Sequence, residues 1–139
     1  MSQLTYEETT QIPAEQLLSL YESVGWSAYT QHPQSAAAAL AASDWACAVW
    51  VDDTLVGLVR VISDDRFIAW VQDILVHPDH QRKGIGRELM SRALRRYEHV
   101  RKFVLLTDDE PRQQAFYEAM GFNRMESASD RLRCFVRLG

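Results

Sequence analysis

The sequence predicts an α/β fold of the α+β kind, in which helices flank a mixed and mostly antiparallel sheet. Two β-rich runs, Trp45–Val51 and Thr54–Ser63, are separated only by two aspartates, which predicts an antiparallel hairpin. An almost continuously apolar run at 67–76 predicts a buried strand. Apolar residues then recur at helical spacing over 85–97, and a short apolar run follows at 103–107. This order predicts a central, parallel and right-handed strand-helix-strand crossover.

The remaining predicted elements lie on either side of these strands. Apolar residues at helical spacing between Pro13 and Gly25 predict a first helix. The alanine-rich stretch 33–42 predicts a second helix, with an aromatic loop between the two. A further helix is expected at 111–120, because a glycine follows it and can end it. Residues 132–138 are predicted to form a last strand.

Length and composition favour an ordinary globular protein. A chain of 139 residues is near the commonest domain size, so we expect residues 1–139 to form a single domain. Hydrophobic residues make up 47% of the sequence, which is enough for a substantial core. The 15 basic and 19 acidic residues give a net charge of −4, which argues against a nucleic acid as partner. Any anion-binding site must therefore be local.

Two features bear on the cellular compartment. Cys47 and Cys134 each lie in an apolar, strand-like run, so both are expected to be buried and reduced. The N-terminal residues lack the basic and apolar segments of a signal peptide, and no apolar run is long enough to span a bilayer. We therefore expect a cytoplasmic protein with no membrane partner.

A glycine-bearing turn joins the buried strand to the helix that follows it. Such a turn places free backbone N–H groups at the positive end of the helix dipole, a geometry that binds phosphate. Its two glycines leave room for an oxyanion, and its basic side chains add positive charge. The loop comprises Gln81, Arg82, Lys83, Gly84, Ile85, Gly86 and Arg87.

Two common nucleotide motifs do not fit this loop. A dinucleotide-binding turn needs a third glycine at the position where this chain has Leu89. A nucleoside-triphosphate loop needs its lysine after the last glycine, whereas Lys83 precedes both glycines. Neither motif is present.

Two segments carry a resemblance to a known family. Residues 81–86 read Gln-Arg-Lys-Gly-Ile-Gly, and residues 115–122 read Ala-Phe-Tyr-Glu-Ala-Met-Gly-Phe. The first resembles the acetyl-coenzyme-A motif of the GNAT superfamily of N-acetyltransferases, and the second resembles its aromatic-Tyr pair on a helix that ends with Gly-Phe. The resemblance covers about residues 46–122. It implies a GNAT-type fold, acetyl-coenzyme A as cosubstrate and an amine as acceptor.

A narrower similarity concerns two other stretches. Residues 21–26 and 70–76 resemble the branch that includes plastid-type arylalkylamine (serotonin) acetyltransferases and their bacterial relatives. One position departs from the superfamily pattern: the helix that carries Tyr117 often has an Asn seven residues earlier, in contact with the cofactor, and this chain has Glu110 there.

The superfamily resemblance implies roles for individual residues. Tyr117 would lie beside the sulfur of acetyl-coenzyme A and protonate the departing thiolate, which a phenol can do at neutral pH. Main-chain groups of Ile74, Leu75 and Val76 would hold the pantetheine arm and the thioester oxygen. The loop at 81–87 would bind the pyrophosphate.

Asp73 is a carboxylate in an apolar strand, where it must be solvated or paired. It is our candidate for receiving the amine's proton, directly or through water, or for attracting the ammonium. The alternative is a structural, hydrogen-bonded aspartate.

Aromatic and histidine residues supply the other candidate sites. Trp26, Tyr29 and Trp70 are candidates for lining an acceptor pocket, with core packing as the alternative. His77 and His80 flank an acidic residue, but neither a cysteine nor a third histidine lies near them in the sequence. No metal site is predicted.

The predicted function is the transfer of an acetyl group from acetyl-coenzyme A to a primary amine, with a small molecule as the expected partner. Two alternatives stay open: acetylation of a protein or peptide, and a non-catalytic acyl-coenzyme-A-binding module. An exposed last strand would also permit a homodimer.

Overall fold

A computed structural model describes residues 3–125 and 132–138. The chain divides into two compact units, 1–106 and 107–139. In the first unit the strands are β1 (Leu4–Glu8), β2 (Trp45–Val51), β3 (Thr54–Ser63), β4 (Ile68–Val76) and β5 (Lys102–Val104). Its helices are α1 (Ala14–Ser23), α2 (Ser27–Thr30), α3 (Pro33–Ala41) and α4 (Ile85–Arg96). The second unit contains α5 (Pro111–Ala119).

The strands form one sheet in the order β1-β2-β3-β4-β5. Neighbouring strands from β1 to β4 pair antiparallel, and β5 pairs parallel with β4 after the α4 crossover. The mixed, mostly antiparallel sheet with a strand-helix-strand crossover is therefore confirmed. In the β2–β3 turn Asp52 adopts a φ of 53°, a left-handed conformation that aspartate tolerates better than most residues.

Helices cover both faces of this sheet. Leu58 and its neighbours on one face pack in a core with residues of α1 and α3 such as Leu17 and Leu40. On the other face, a Cβ placed on Gly57 would lie 3.3 Å from Ile85 of α4, so the missing side chain lets this helix approach the strand closely. Successive strand residues point to opposite faces, and α4 therefore lies opposite α1 and α3.

Two short elements near the N-terminus were not predicted. β1 pairs with β2 at the edge of the sheet and is mostly exposed, so it lacks the buried apolar pattern that marks the inner strands. The aromatic loop between the first two predicted helices contains α2, a single helical turn that is too short to show helical periodicity. Among the described residues, no helix has both the length and the apolar character required to cross a bilayer.

The predicted last strand is wrong, because residues 132–138 form neither helix nor strand. An extended segment becomes a strand only when a neighbour pairs with its backbone, and the described part of the second unit contains no strand. Phe135 in this segment is 93% exposed. Cys134 is exposed as well, which corrects the expectation for that thiol, whereas Cys47 is buried in β2 as predicted.

Candidate functional site

The predicted phosphate loop begins where β4 ends. A short 3-10 turn, Pro78–His80, follows the strand, and the backbone N–H of His77 donates to the carbonyl of Val56 at 2.8 Å. The side-chain amide of Gln81 then reaches back and donates to the carbonyl of Val76 at 3.0 Å. These two hydrogen bonds fix the entry to the loop against β3 and the end of β4.

The loop then enters α4 through two residues in the left-handed region. Arg82 has a φ of 64°, and Gly84, which precedes the first residue of α4, has a φ of 83°. No side chain caps this helix end, so its first N–H groups have no capping side chain as acceptor. Ile85 is buried and anchors the helix, whereas Gly86 is half-buried. The exposed side chains of the loop are those of Gln81, Arg82, Lys83 and Arg87.

The inner edge of β4 opens beside this loop. The parallel ladder between β4 and β5 joins Ile68, Ala69 and Trp70 to their partners and extends no further among the described residues. Among the described residues, no strand pairs with β4 beyond Trp70 on the edge that faces away from β3. Ile74 and Val76 lie on this stretch half-buried, and Leu75 between them is buried in the core.

Asp73 lies on β4 with both carboxylate oxygens occupied. Its Oδ1 accepts a hydrogen bond from Tyr29 Oη at 2.7 Å. Its Oδ2 accepts one from Tyr21 Oη at 2.9 Å and another from Arg60 Nε at 2.7 Å. The residue is only 3% exposed. This geometry favours the structural alternative for Asp73, and a role as acceptor of the amine's proton stays a prediction.

The electrostatics of this cluster agree with its geometry. Burial raises the pKa of Tyr21 far above its usual value, and the negative charge of Asp73 raises it further. Burial and Asp73 also raise the pKa of Tyr29. Burial alone would lower the pKa of Arg60, but the attraction and hydrogen bond to Asp73, together with Tyr29, outweigh it and raise that pKa. Both phenols therefore stay protonated as donors and the guanidinium stays charged.

The structure brings the candidate acceptor residues to one face of the sheet. Tyr29 stacks on Tyr21 with ring centroids 4.3 Å apart, and Trp26 lies 6.2 Å from Tyr29. Trp70 pairs with Ile62, two residues from Arg60, and so points to the face that carries Arg60. Its indole Nε1 donates to Oε1 of Gln72 at 2.7 Å.

Tyr117 lies on α5 in the second unit and is half-buried. Burial raises its pKa, although the neighbouring Thr107 opposes part of that shift, so the phenol is protonated at neutral pH. Its ring meets those of Phe116 and Phe122 edge-on. The carboxylate of Glu110 accepts from the N–H groups of Arg112 and Gln113 and caps α5. Glu110 thus has a structural role, the one expected of an acidic residue at a helix N-terminus.

The loop histidines have local roles. The Nδ1 atom of His77 accepts from the backbone N–H of Asp79 at 3.1 Å, and the rings of His77 and His80 are 6.0 Å apart. Across residues 3–125 and 132–138, no group of three histidine, cysteine, aspartate or glutamate side chains is placed to hold a metal ion.

The comparison with known families decides the classification. Residues 11–122 match the acetyltransferase (GNAT) family. The chain belongs to the GNAT acetyltransferase family. The two motif segments, 81–86 and 115–122, fall within the matched residues. The matched region also contains the end of the β4–β5 ladder and the uncapped start of α4.

Individual relatives agree with this assignment. An uncharacterized N-acetyltransferase, ycf52-like, from Prochlorococcus marinus is 35% identical over 118 residues, which are 80% of this chain and 61% of that protein. A solved GNAT-family acetyltransferase from Streptococcus pneumoniae superposes with a TM-score of 0.81 at 28% identity over 97% of this chain and 98% of its own. An aminoglycoside N-acetyltransferase in complex with CoA has the same fold, with a TM-score of 0.75 at 14% identity, covering 99% and 96%.

The matches to curated relatives are partial. The chain spans 37%, 39% and 61% of the lengths of three such proteins, all described as uncharacterized N-acetyltransferases. These relatives therefore support the family and the type of reaction, and they name no acceptor.

Three residues around Asp73 and Trp70 were missed from the sequence: Arg60, Tyr21 and Gln72. Arg60 is a lone cation in the apolar strand β3, 6% exposed, and could have been paired with the lone carboxylate of β4. Tyr21 occupies the apolar face of α1 and looks like an ordinary core residue. The sequence does not mark Gln72 as a site residue, because its position next to Trp70 and Tyr29 depends on the register between β3 and β4.

Proposed function

We propose that the chain is an acetyl-coenzyme-A-dependent N-acetyltransferase that acetylates a primary amine of a small molecule. Two neighbouring features carry this proposal. β4 has no pairing with β5 after Trp70, and the next helix in the chain has a glycine-bearing, uncapped N-terminus. An extended arm with amide groups can add to a strand edge, and a pyrophosphate can bind the helix end that follows. Coenzyme A contains both parts in one molecule.

The cofactor side uses main-chain groups more than side chains. Peptide groups of Ile74, Leu75 and Val76 pair with the pantetheine amides and orient the thioester. The N–H groups around Gly84 and Gly86 then contact the pyrophosphate, and the exposed cations of the loop neutralise it. The CoA complex of the aminoglycoside N-acetyltransferase, which shares the fold, supports this assignment.

On the acceptor side the amine reacts as the free base. Its lone pair attacks the thioester carbonyl, the carbon–sulfur bond breaks, and the nitrogen loses one proton to solvent. Tyr117 protonates the thiolate and then regains a proton from solvent. The raised pKa of Tyr117 keeps this proton in place at neutral pH. Trp26, Tyr29 and Trp70 present aromatic surface, which suits an amine attached to an apolar or aromatic body.

Release of free thiol from acetyl-coenzyme A tests the reaction. We would measure it with 2-phenylethylamine, spermidine, a peptide with a free N-terminus and a peptide with an internal lysine. Turnover of one of the small amines, well above that of both peptides, is the expected result. Faster turnover of a peptide would indicate that the acceptor is a protein rather than a small molecule. Tight coenzyme A binding without turnover of any of these amines would favour a non-catalytic binding module.

A further inference from the structure

Arg60 has a buried guanidinium with contacts to three different side chains. Its Nε donates to Asp73 Oδ2 at 2.7 Å, its Nη1 to Ser43 Oγ at 3.2 Å and its Nη2 to Tyr29 Oη at 3.1 Å. A carboxylate alone would balance the charge. The planar fork does more, because it holds the Asp73 carboxylate and the Tyr29 hydroxyl in one fixed arrangement.

The hydroxyl of Tyr29 is held by this arrangement from two sides. It donates its proton to Asp73 Oδ1 at 2.7 Å and accepts from Arg60 Nη2 at 3.1 Å. These bonds use its one donor and one of its two acceptor positions. The ring of Tyr29 is therefore fixed at its hydroxyl and also by its stack on Tyr21.

Gln72 continues the arrangement along β4. Arg60 pairs with Asp73 and Val61 pairs with Val71, so Gln72 is the extra residue of a β-bulge. The bulge leaves its side chain exposed on the strand, where the amide oxygen accepts from Trp70 Nε1 at 2.7 Å. The Gln72 amide also opposes part of the rise in the pKa of Tyr29. Gln72 is thus a neighbour of both Trp70 and the Tyr29 hydroxyl that Arg60 holds.

We propose that Arg60 is a positioning residue that fixes the acceptor wall, the surface formed by Trp26, Tyr29, Gln72 and Trp70, through its contact with the Tyr29 hydroxyl. The proposal rests on the proposed function, in which this wall receives the amine. Arg60 touches neither the thioester nor the amine. It acts through Tyr29, and Asp73 serves as its fixed counter-ion.

Arg60→Lys is the decisive variant. A lysine retains the charge for Asp73, but its single ammonium cannot also hold the Tyr29 hydroxyl and Ser43. We expect the KM for 2-phenylethylamine to rise about tenfold, the effect of losing one strong orienting hydrogen bond, while the KM for acetyl-coenzyme A stays within about twofold. Tyr29→Phe should reproduce this split.

The double variant Arg60→Lys/Tyr29→Phe tests whether both residues act through one contact. Its KM for 2-phenylethylamine should equal that of Tyr29→Phe, because the second change removes a contact already lost. Ser43→Ala is the matched control, since it removes a different contact of the same guanidinium and should leave both KM values parental. Effects that multiply in the double variant, or equal rises in both KM values, would overturn the proposal.

A readout without amine separates this proposal from the proposed function. The Trp70 indole N–H donates to Gln72, a neighbour of the Tyr29 hydroxyl, so its exchange with solvent, followed by NMR and assigned with Trp70→Phe, should accelerate in Arg60→Lys and Tyr29→Phe but not in Ser43→Ala. The Trp50 indole, which donates to Glu7 at 3.1 Å, is the internal reference. Unchanged exchange at Trp70 would refute the positioning role even where acetylation is normal. Accelerated exchange in a protein that acetylates none of the panel would instead refute the proposed function and leave the positioning role of Arg60 standing.

Discussion

Tyr21→Phe removes one oxygen atom from the buried cluster and leaves the ring. Tyr21 is 1% exposed, and its hydroxyl donates to Asp73 at 2.9 Å. The stack on Tyr29 and the contact with Trp26 involve the ring alone and should persist. The variant therefore isolates a single hydrogen bond to a buried carboxylate.

The expected loss follows from the type of bond. Hydrogen bonds to charged groups contribute about 1.5–3 kcal/mol, and the lower end applies because Arg60 and Tyr29 still donate to Asp73. We expect the free energy of unfolding to fall by about 2 kcal/mol at pH 7, which lowers Tm by roughly 4–8 °C in a chain of this length. Calorimetry or urea unfolding would measure it.

The pH dependence of this variant has a definite sign. Because the pKa of Tyr21 is raised in the folded state, its stabilisation is complete below the unfolded value of about 10 and is lost as pH rises further. The difference between parent and variant should therefore narrow above pH 10. Tyr97→Phe is the control at pH 7, because Tyr97 is equally buried and packs edge-on against Trp45 rather than on Asp73. Equal losses in the two variants at pH 7 would refute the reasoning.

Three further predictions concern the reaction. Tyr117→Phe should retain coenzyme A affinity and lose turnover by about a hundredfold or somewhat less, because a thiolate is a good leaving group. If the variant turns over at the parental rate while the chemical step is rate-limiting, Tyr117 is not the acid. Gly86→Val should weaken coenzyme A binding by at least about tenfold in calorimetric titration. It should not unfold α4, because valine is no worse a helix former than glycine. The control Ser91→Val, in the same helix, should bind coenzyme A normally. Asp73→Asn should raise the KM for the amine and lower Tm, with no recovery of turnover as pH rises; recovery with pH would make Asp73 the acceptor of the amine's proton.

Elements with strong local patterns could be predicted from the sequence. β2 and β3 lie at their predicted residues because β-branched and aromatic residues fill them and two aspartates supply the turn. α4 follows from its apolar spacing. β1 lacks such a pattern, since an edge strand with one half-buried residue is defined by its pairing with β2. Residues 132–138 have the pattern of a strand without a strand partner among the described residues of their unit.

The site divides in the same way. The phosphate loop depends on glycines and backbone conformation within a few residues, so local sequence predicts it. The cluster around Asp73 depends on side chains from α1, α2 and β3 that are between 13 and 52 residues away in the chain. Only the tertiary fold brings these donors to one carboxylate, and the sequence therefore left both a catalytic and a structural aspartate open.

The pairing of Arg60 with Asp73 shows how small a detail separates those alternatives. Ser63 pairs with Ala69, and a regular antiparallel ladder continued from there would place Arg60 opposite Gln72. Asp73 would then point to the other face of the sheet, because neighbouring strand residues alternate. The bulge at Gln72 shifts the register by one residue and brings the carboxylate opposite Arg60, on the face that carries Tyr21 and Tyr29. A single inserted residue thus both creates the ion pair and exposes the Gln72 amide next to it, which is why the acceptor wall and its buried support arise together.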